Sequence, residues 1–182
     1  MLISQVTHGR PQDRRSDTEE AIYDALEAQG AVFARVDHDP ADTMEICGQI
    51  ETVLGATICK NLFLCNRQQT DFYLLLMPPD KPFKTKFLSG QLGCSRLSFA
   101  SDEQMETLLH CHPGSASALE LFFDREGQIR LVIDRDLAQE QDWCGHPGRS
   151  TSTLRMRWED LLNYVNLTGH SPTYVELPRE VE

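Results

Sequence analysis

Three segments of this chain carry residue types that could act together on a charged ester or a phosphate. Lys60 lies in the apolar run Thr57–Cys65, and a lysine there is costly to bury unless an anion meets it. Small residues follow Pro113 and Gly114, where a backbone can turn its N–H groups toward a ligand. His146 stands in a loop bounded by glycine and proline, where a histidine can position a substrate or carry a proton. A cation, backbone donors and an imidazole therefore outline a candidate site.

Each of these residues also has a purely structural interpretation. In a strand, Lys60 would share one face with Leu62 and Leu64, so it could instead extend to water from a sheet edge. The segment Pro113–Ala118 could hold a developing oxyanion, worth about 10²–10³ in rate per donor, or it could be a loop that needs small residues to pack. His146 could equally be a turn histidine. The spacing leaves these alternatives open.

The histidines and cysteines do not show the spacing of a metal site. Zinc ligands usually come as C-x₂₋₄-C or H-x₃₋₅-H pairs. The candidates here are His110 with His112, Cys144 with His146, and Cys111. Cys59 and Cys65 lie in apolar runs that would raise their thiol pKa, which disfavours a cysteine nucleophile. His38 stands between two aspartates just before a helix and is interpreted as a loop histidine. We predict no metal and no cofactor.

Composition narrows the function classes. The chain of 182 residues has a net charge of −11, which argues against non-specific coating of nucleic acid but allows contact with one end of an RNA. Lys81, Lys84 and Lys86 are local basic groups for such a contact. No apolar run approaches the roughly 20 residues of a membrane span, and no signal peptide is evident. We therefore expect a cytoplasmic protein without membrane contact, whose six cysteines are reduced thiols.

Apolar periodicity predicts an α+β domain with a mixed, curved β-sheet and few helices. Residues 1–14 are predicted to be a flexible leader, 15–178 a single domain and 179–182 a tail. Helices are predicted at 16–29, at 42–55 with a cap in Asp42–Glu45, and at 84–92, 102–110 and 158–167. Strands are predicted at 31–36, 57–65, 71–77, 119–123, 129–133, 154–158 and 174–177. The second and third strands would form an antiparallel pair, and the fourth and fifth a hairpin.

In order along the chain, several short blocks resemble the YbaK-type aminoacyl-tRNA editing family, and within it the free-standing prolyl-tRNA editing proteins. The resemblance covers about residues 16–177, and its most specific parts are Lys60–Phe63 and Pro113–Ser115. The other blocks are His38–Pro40, Thr43–Glu45, Leu97–Ser101, Ile133–Leu137, His146–Pro147, Ser150–Leu154 and Gly169–His170. The family loop reads Gly-x-x-x-Pro, whereas its fifth position is Ala118 here. The fold implied is a mixed, partly closed sheet flanked by helices.

The resemblance implies a deacylase that hydrolyses an amino acid wrongly esterified to tRNA, most specifically alanyl-tRNA(Pro). Lys60 would act at the RNA 3′ end, and Gly114 with Ser115 would grip the aminoacyl carbonyl. Substrate-binding roles would go to Asn61, Pro113, Ala118 and His146. The implied partners are the acceptor end of tRNA, that for proline in particular, and an aminoacyl-tRNA synthetase.

The limited selectivity of a proline-binding pocket explains why such editing is needed. A pocket that holds proline cannot strongly refuse a smaller side chain, because a methylene is worth only about 1–3 kcal/mol. Alanine, serine and cysteine are close in size, so the sequence leaves the removed amino acid open. The resemblance also implies that the neighbouring ribose hydroxyl assists the attacking water, which agrees with the absence of an evident Ser/His/Asp set. The alternative is a non-catalytic module of the same fold that binds aminoacyl-tRNA or a synthetase.

Overall fold

The computed structural model describes residues 2–41 and 43–180. Six α-helices are found in this part: α1 Asp17–Ala28, α2 Met44–Leu54, α3 Thr85–Leu92, α4 Asp102–Leu109, α5 Arg135–Ala138 and α6 Trp158–Leu167. A 3-10 helix spans Ala118–Phe123. The strands are β1 Thr7–His8, β2 Phe33–Asp37, β3 Lys60–Asn66, β4 Phe72–Met77, β5 Leu97–Phe99, β6 Ile129–Asp134, β7 Asp142–Gly145, β8 Ser152–Arg157 and β9 Thr173–Val175. No helix of the described part is long and apolar enough to cross a membrane.

Side-chain caps set the starts of the first helices, as the sequence predicts. Ser16 and Glu19 form a reciprocal capping box at α1, which satisfies backbone N–H groups that the first turn leaves unpaired. At α2 the Thr43 hydroxyl accepts a hydrogen bond from the Ile46 N–H at 3.2 Å, and Gly55 ends the helix with a φ of 74°. That left-handed conformation favours glycine. Asp42, predicted to be part of this cap, lies outside the described residues.

The strands form two sheets. One has the order β1-β2-β8-β7 and is antiparallel, whereas the other has the order β5-β3-β4-β6-β9 and mixes antiparallel with parallel pairs. An isolated parallel bridge between Ile58 and Cys144 connects the segment before β3 to β7. The mixed α+β class is confirmed, but the strands lie in two sheets that do not close, rather than in one partly closed sheet.

The predicted hairpin of 119–123 with 129–133 is wrong. Residues 118–123 form the 3-10 helix, and β6 instead pairs in parallel with β4, with Leu74 opposite Leu131. A capping box between Ser117 and Glu120 favours the helical turn. The Asp124 carboxylate then accepts hydrogen bonds from the Gln128 and Ile129 N–H groups at 2.9 and 2.8 Å, which turns the chain into β6.

Several described residues of the predicted flexible leader pair with the rest of the fold. Thr7 and His8 pair with β2, and Ile3 forms a bridge with His38. Arg10 makes ion pairs with α1 at Glu20, Asp24 and Glu27. These acidic residues repeat along one face of a helix, which explains why a polar segment without apolar periodicity still docks there. Met1 and the last two residues of the predicted tail lie outside the described residues.

The core has three apolar clusters, and β3 and β4 separate two of them. Phe63 and Leu74 face the largest cluster, which packs under α1, α6 and the 3-10 helix. Leu64 and Tyr73 face the opposite side, toward α3. The third cluster lies between β2 and α2 and includes Cys144. This layering determines which candidate residues share a side of each sheet.

Candidate functional site

Lys60 is the first residue of β3 and stands opposite Met77 of β4. The register puts it on the sheet face of Leu62 and Leu64, as predicted from alternation. Its side chain is half-buried and forms no hydrogen bond or ion pair within residues 2–41 and 43–180. The ammonium of Lys60 is therefore available to an anionic ligand. Lys81, by contrast, is buried against Asp134 and is not available as a surface cation.

Asn61 lies on the other face of β3, beside Cys59. Its side-chain amide donates a hydrogen bond to the Cys59 carbonyl oxygen at 3.2 Å, and its Oδ1 lies 3.8 Å from Cys59 Sγ. Asn61 is half-buried. The side chain is therefore held by its own strand, on the face opposite to Lys60.

The segment after α4 is a tight turn with a buried second half. Gly114 has a φ of 85°, a left-handed conformation that favours glycine, and it is exposed together with Pro113. Ser115 is fixed by His112, because its N–H and hydroxyl donate to the His112 carbonyl oxygen and its Oγ accepts from the His112 N–H. Ala116 and Ala118 are buried. Since the N–H groups of Ser115 and Ser117 are engaged and Ala118 is fully buried, the backbone donors left for a ligand are those of Gly114 and Ala116.

Ser117 connects this loop to the loop of His146. The Ser117 hydroxyl oxygen lies 2.7 Å from the His146 carbonyl oxygen and 2.7 Å from Glu120 Oε2. Glu120 also accepts a hydrogen bond from the Ser117 N–H at 2.9 Å. The sequence analysis did not assign roles to Ser117 or Glu120, although S-x-x-E is a recognisable capping pattern.

His146 belongs to a buried chain of hydrogen bonds with Thr153 and His38. Its Nδ1 lies 2.8 Å from the Ser152 carbonyl oxygen and 3.2 Å from Thr153 Oγ1. Thr153 Oγ1 lies 2.8 Å from His38 Nε2, and His38 Nδ1 lies 2.8 Å from the Asp39 carbonyl oxygen. Because carbonyl oxygens only accept, both histidines carry their proton on Nδ1, and the Thr153 hydroxyl donates to His38.

Burial keeps both rings neutral. It lowers the pKa of His146 to about 4 and lowers the pKa of His38 as well. Nδ1 of His146 is used as a donor, so the lone pair of Nε2 is the position that can accept a hydrogen bond from a ligand. With a pKa of about 4, this imidazole is a weak base at pH 7. It is therefore suited to binding a donor group rather than to abstracting a proton.

The thiols and possible metal ligands give no competing centre. Burial raises the pKa of Cys59 and of Cys144 to about 12, which makes both thiols poor nucleophiles. Among residues 2–41 and 43–180, no group of three or more histidine, cysteine, aspartate or glutamate side chains could hold a metal ion.

A cleft of about 990 Å³ opens beside the bridge between the two sheets, but the predicted site residues do not line it. Its walls include Cys59, Trp143 and Trp158, and its edge carries acidic side chains. These are Asp80, Asp136, Glu140 and Asp142, with Arg179 as the basic member of the lining. Acidic groups repel phosphate, so this cleft is a poor match for an RNA backbone.

The structure therefore joins some of the predicted site residues and leaves others apart. The loop 113–118 and His146 are connected through Ser117. Lys60 and His146 each follow, by two residues, a member of the Ile58–Cys144 bridge, which runs parallel. Their backbones thus run in the same direction from the bridge, although no hydrogen bond among the described residues joins the Lys60 side chain to His146 or to the loop. His38 and Thr153 were missed as members of this chain of hydrogen bonds; Thr153 is only seven residues from His146, but its other partner, His38, is 115 residues from Thr153.

Comparisons with known proteins agree with the motifs. The profile of the aminoacyl-tRNA editing domain family matches residues 38–164. The prolyl-tRNA editing protein ProX of Acetoanaerobium sticklandii is 27% identical over 161 residues, which cover 88% of this chain and 98% of that protein. Prolyl-tRNA synthetase associated domain-containing protein 1 of Mus musculus is 30% identical over 142 residues, which cover 75% of this chain and 83% of that protein.

The fold agrees as well. A crystal structure of a protein proposed as a trans-editing enzyme for prolyl-tRNA synthetase superposes with a TM-score of 0.67 at 18% identity, covering 92% of this chain and 100% of that one. The family profile covers most of the chain and includes Lys60, the loop at Gly114 and His146. The chain belongs to the aminoacyl-tRNA editing domain family, as the sequence blocks predicted.

Proposed function

We propose that this protein is a trans-editing deacylase that hydrolyses the ester of mischarged tRNA, with alanyl-tRNA(Pro) as its substrate. The observation that carries the proposal is the 2.7 Å contact between Ser117 Oγ and the His146 carbonyl oxygen. It joins two segments, predicted separately, that would hold the aminoacyl carbonyl and the amino acid. Family membership and the name of the ProX relative support the same reaction class.

Each group of the candidate site would have a separate role that follows from its chemistry. The N–H groups of Gly114 and Ala116 would donate to the oxyanion that forms when water attacks the ester carbonyl. The ammonium of Lys60, which has no partner among the described residues, would bind phosphate at the RNA 3′ end. His146 would accept a hydrogen bond at Nε2 from the α-ammonium of the esterified amino acid, for which a neutral ring is required. The weak basicity of His146 leaves activation of the water to the neighbouring ribose hydroxyl of the substrate.

Ser115 and Ala118 would act indirectly. Ser115 fixes the turn through His112, and Ala118 is fully buried where the family loop has proline. Because Ala118 is fully buried, its influence on binding would be indirect, through the start of the 3-10 helix. Pro113 precedes Gly114 at the exposed side of the turn, and its fixed φ restricts the backbone conformation at the start of the turn.

The test is release of labelled alanine from alanyl-tRNA(Pro), with prolyl-tRNA(Pro) as the substrate to be spared. Lys60→Ala should lower kcat/KM at least about 100-fold, or about 2.7 kcal/mol of transition-state stabilisation. Arg67→Ala is the matched control, because Arg67 is an exposed cation just beyond the other end of β3. Equal activity of the Lys60→Ala and wild-type proteins would refute the proposed role of Lys60.

A non-catalytic module that binds aminoacyl-tRNA or a synthetase is the second candidate. The net charge of −11 and the synthetase-associated name of the mouse relative favour it. Turnover separates the two candidates, because a binding module protects the ester whereas an enzyme releases many amino acids per chain. Absence of release from alanyl-, seryl- and cysteinyl-tRNA alike would favour the binding module.

A further inference from the structure

The Ser117 hydroxyl is placed between two oxygen atoms at equal distance. Ser117 Oγ lies 2.7 Å from Glu120 Oε2 and 2.7 Å from the carbonyl oxygen of His146. The hydroxyl carries one proton and the carbonyl carries none. Both contacts can therefore be hydrogen bonds only if Glu120 is protonated and donates to Ser117, which in turn donates to His146. With an ionised Glu120, one of the two contacts would be an oxygen–oxygen approach without a proton.

The surroundings of Glu120 favour its neutral form. The side chain is fully buried, its Oε1 has no hydrogen-bond partner among the described residues, and no ion pair is formed there. Burial raises its pKa to about 8, although hydrogen bonds from Ser117 and the charge of Arg149 oppose the shift.

Three other groups face the Glu120 carboxyl from neighbouring elements. Cys111 precedes the loop, and burial and the Glu120 charge both raise its thiol pKa, so it stays neutral. Tyr164 of α6 donates its hydroxyl to the Leu119 carbonyl oxygen at 2.7 Å and is also neutral. Arg149 is the cationic neighbour, but its guanidinium donates to the carbonyl oxygens of His110 and Gly148. None of these groups supplies a hydrogen-bonded counter-charge for an ionised Glu120.

We infer that Glu120 is a positioning residue: in its neutral form it donates through Ser117 to the His146 carbonyl and holds the loop 113–118 against the amino-acid pocket. This inference rests on the proposed function for its catalytic consequence. Loss of the Glu120 proton to solvent leaves the hydroxyl of Ser117 bound to the carboxylate and removes the connection to His146. Deacylation should therefore decline on the alkaline side as Glu120 ionises.

The kinetic test compares pH profiles of kcat and KM between pH 6 and 9.5, after subtraction of spontaneous ester hydrolysis. The wild-type protein should lose kcat with a midpoint near pH 8, with a smaller effect on KM. Glu120→Gln should lose the alkaline decline, because its amide does not ionise. Its NH₂ group can donate to Ser117 Oγ but cannot also accept from the Ser117 N–H as Glu120 Oε2 does, so the rate at pH 6.5 should fall, but by less than in Ser117→Ala. Ser117→Ala should be at least about tenfold slower at pH 6.5. An identical alkaline decline in wild type and Glu120→Gln would overturn the inference.

A measurement that does not use activity keeps the two proposals separate. The ¹³C resonance of the Glu120 carboxyl, assigned by its loss in Glu120→Gln, should titrate near pH 8, and the His146 carbonyl resonance should move with it. A carboxyl midpoint below pH 6, or a His146 resonance that does not follow, would overturn the inference even in an active enzyme. If no deacylation occurs at all, the proposed function fails and this titration alone decides whether the hydrogen-bonded connection exists.

Discussion

Replacing Asp134 by asparagine should lower the free energy of unfolding by about 3–5 kcal/mol, because it removes the main partner of a buried cation. Lys81 is 2% exposed, and its Nζ donates to the two Asp134 carboxylate oxygens at 3.1 and 2.9 Å and to the Leu177 carbonyl oxygen at 2.9 Å. Asp136 adds a contact at 3.0 Å. Burial lowers the pKa of Lys81, but hydrogen bonds to Asp134 and Asp136 outweigh it, so the lysine is charged.

Urea unfolding at pH 7, followed by circular dichroism, measures this effect. The matched control is Asp80→Asn, the same chemical change in a 72% exposed side chain that lies 3.5 Å from Arg179, and it should cost less than about 1 kcal/mol. Replacing both charges, as in Lys81→Met with Asp134→Asn, should recover part of the stability, since no buried cation is left and the amide oxygen can still accept from one of the Asp136 and Leu177 N–H groups that Asp134 binds. If Asp134→Asn destabilises no more than Asp80→Asn, the buried charge is not energetically important and the reasoning is refuted.

Two further predictions concern stability. The folded-state pKa of Glu120, about 8, lies above its ordinary 4.5, so its contribution to stability is fully present below pH 4.5 and is lost progressively as the pH rises through 8. At about 1.4 kcal/mol per pKa unit this amounts to a few kcal/mol, and urea unfolding at pH 5 and 8.5 should show a decrease that Glu120→Gln lacks. Gly145→Ala should cost about 1–3 kcal/mol, because a Cβ there would lie 2.4 Å from Trp143 Cζ2. Gly48→Ala, in an open position of α2, should instead stabilise by about 0.5–1 kcal/mol, and equal melting temperatures for these two variants would contradict the packing argument.

The elements that follow from local chemistry were predicted from sequence. Ser16 with Glu19, and Thr43 with Gly55, define the ends of α1 and α2 because the capping groups are close in the chain. The hairpin error at 119–123 arose because an apolar run of this length fits a strand as well as a short helix. The predicted partner of this run, β6, pairs with β4 instead, and β4 is distant from it in sequence.

Some features of the candidate site could likewise be predicted from local sequence, and others could not. Lys60 and the turn at Gly114 could be recognised from residue type, and the sheet face of Lys60 followed from strand alternation. The protonation of His146 could not be predicted, since it is determined by the burial of the ring and by the Ser152 carbonyl oxygen, and the burial depends on tertiary folding. The Ser117–Glu120 pair was visible as a capping pattern, but its contact with His146 depends on how two loops dock.

The bridge between Ile58 and Cys144 connects the two sheets, so the candidate site is built from residues of both. Lys60 is the first residue of β3 in one sheet, whereas His146 directly follows β7, an edge strand of the other sheet. A small rotation of one sheet against the other would change the spacing between cation and imidazole while leaving each sheet intact. The Ile58 amide is bound to Glu51, so amide hydrogen exchange at Cys144 would report on the alignment of the candidate site, and a bound aminoacyl end that spans both sheets should slow it by restraining that rotation.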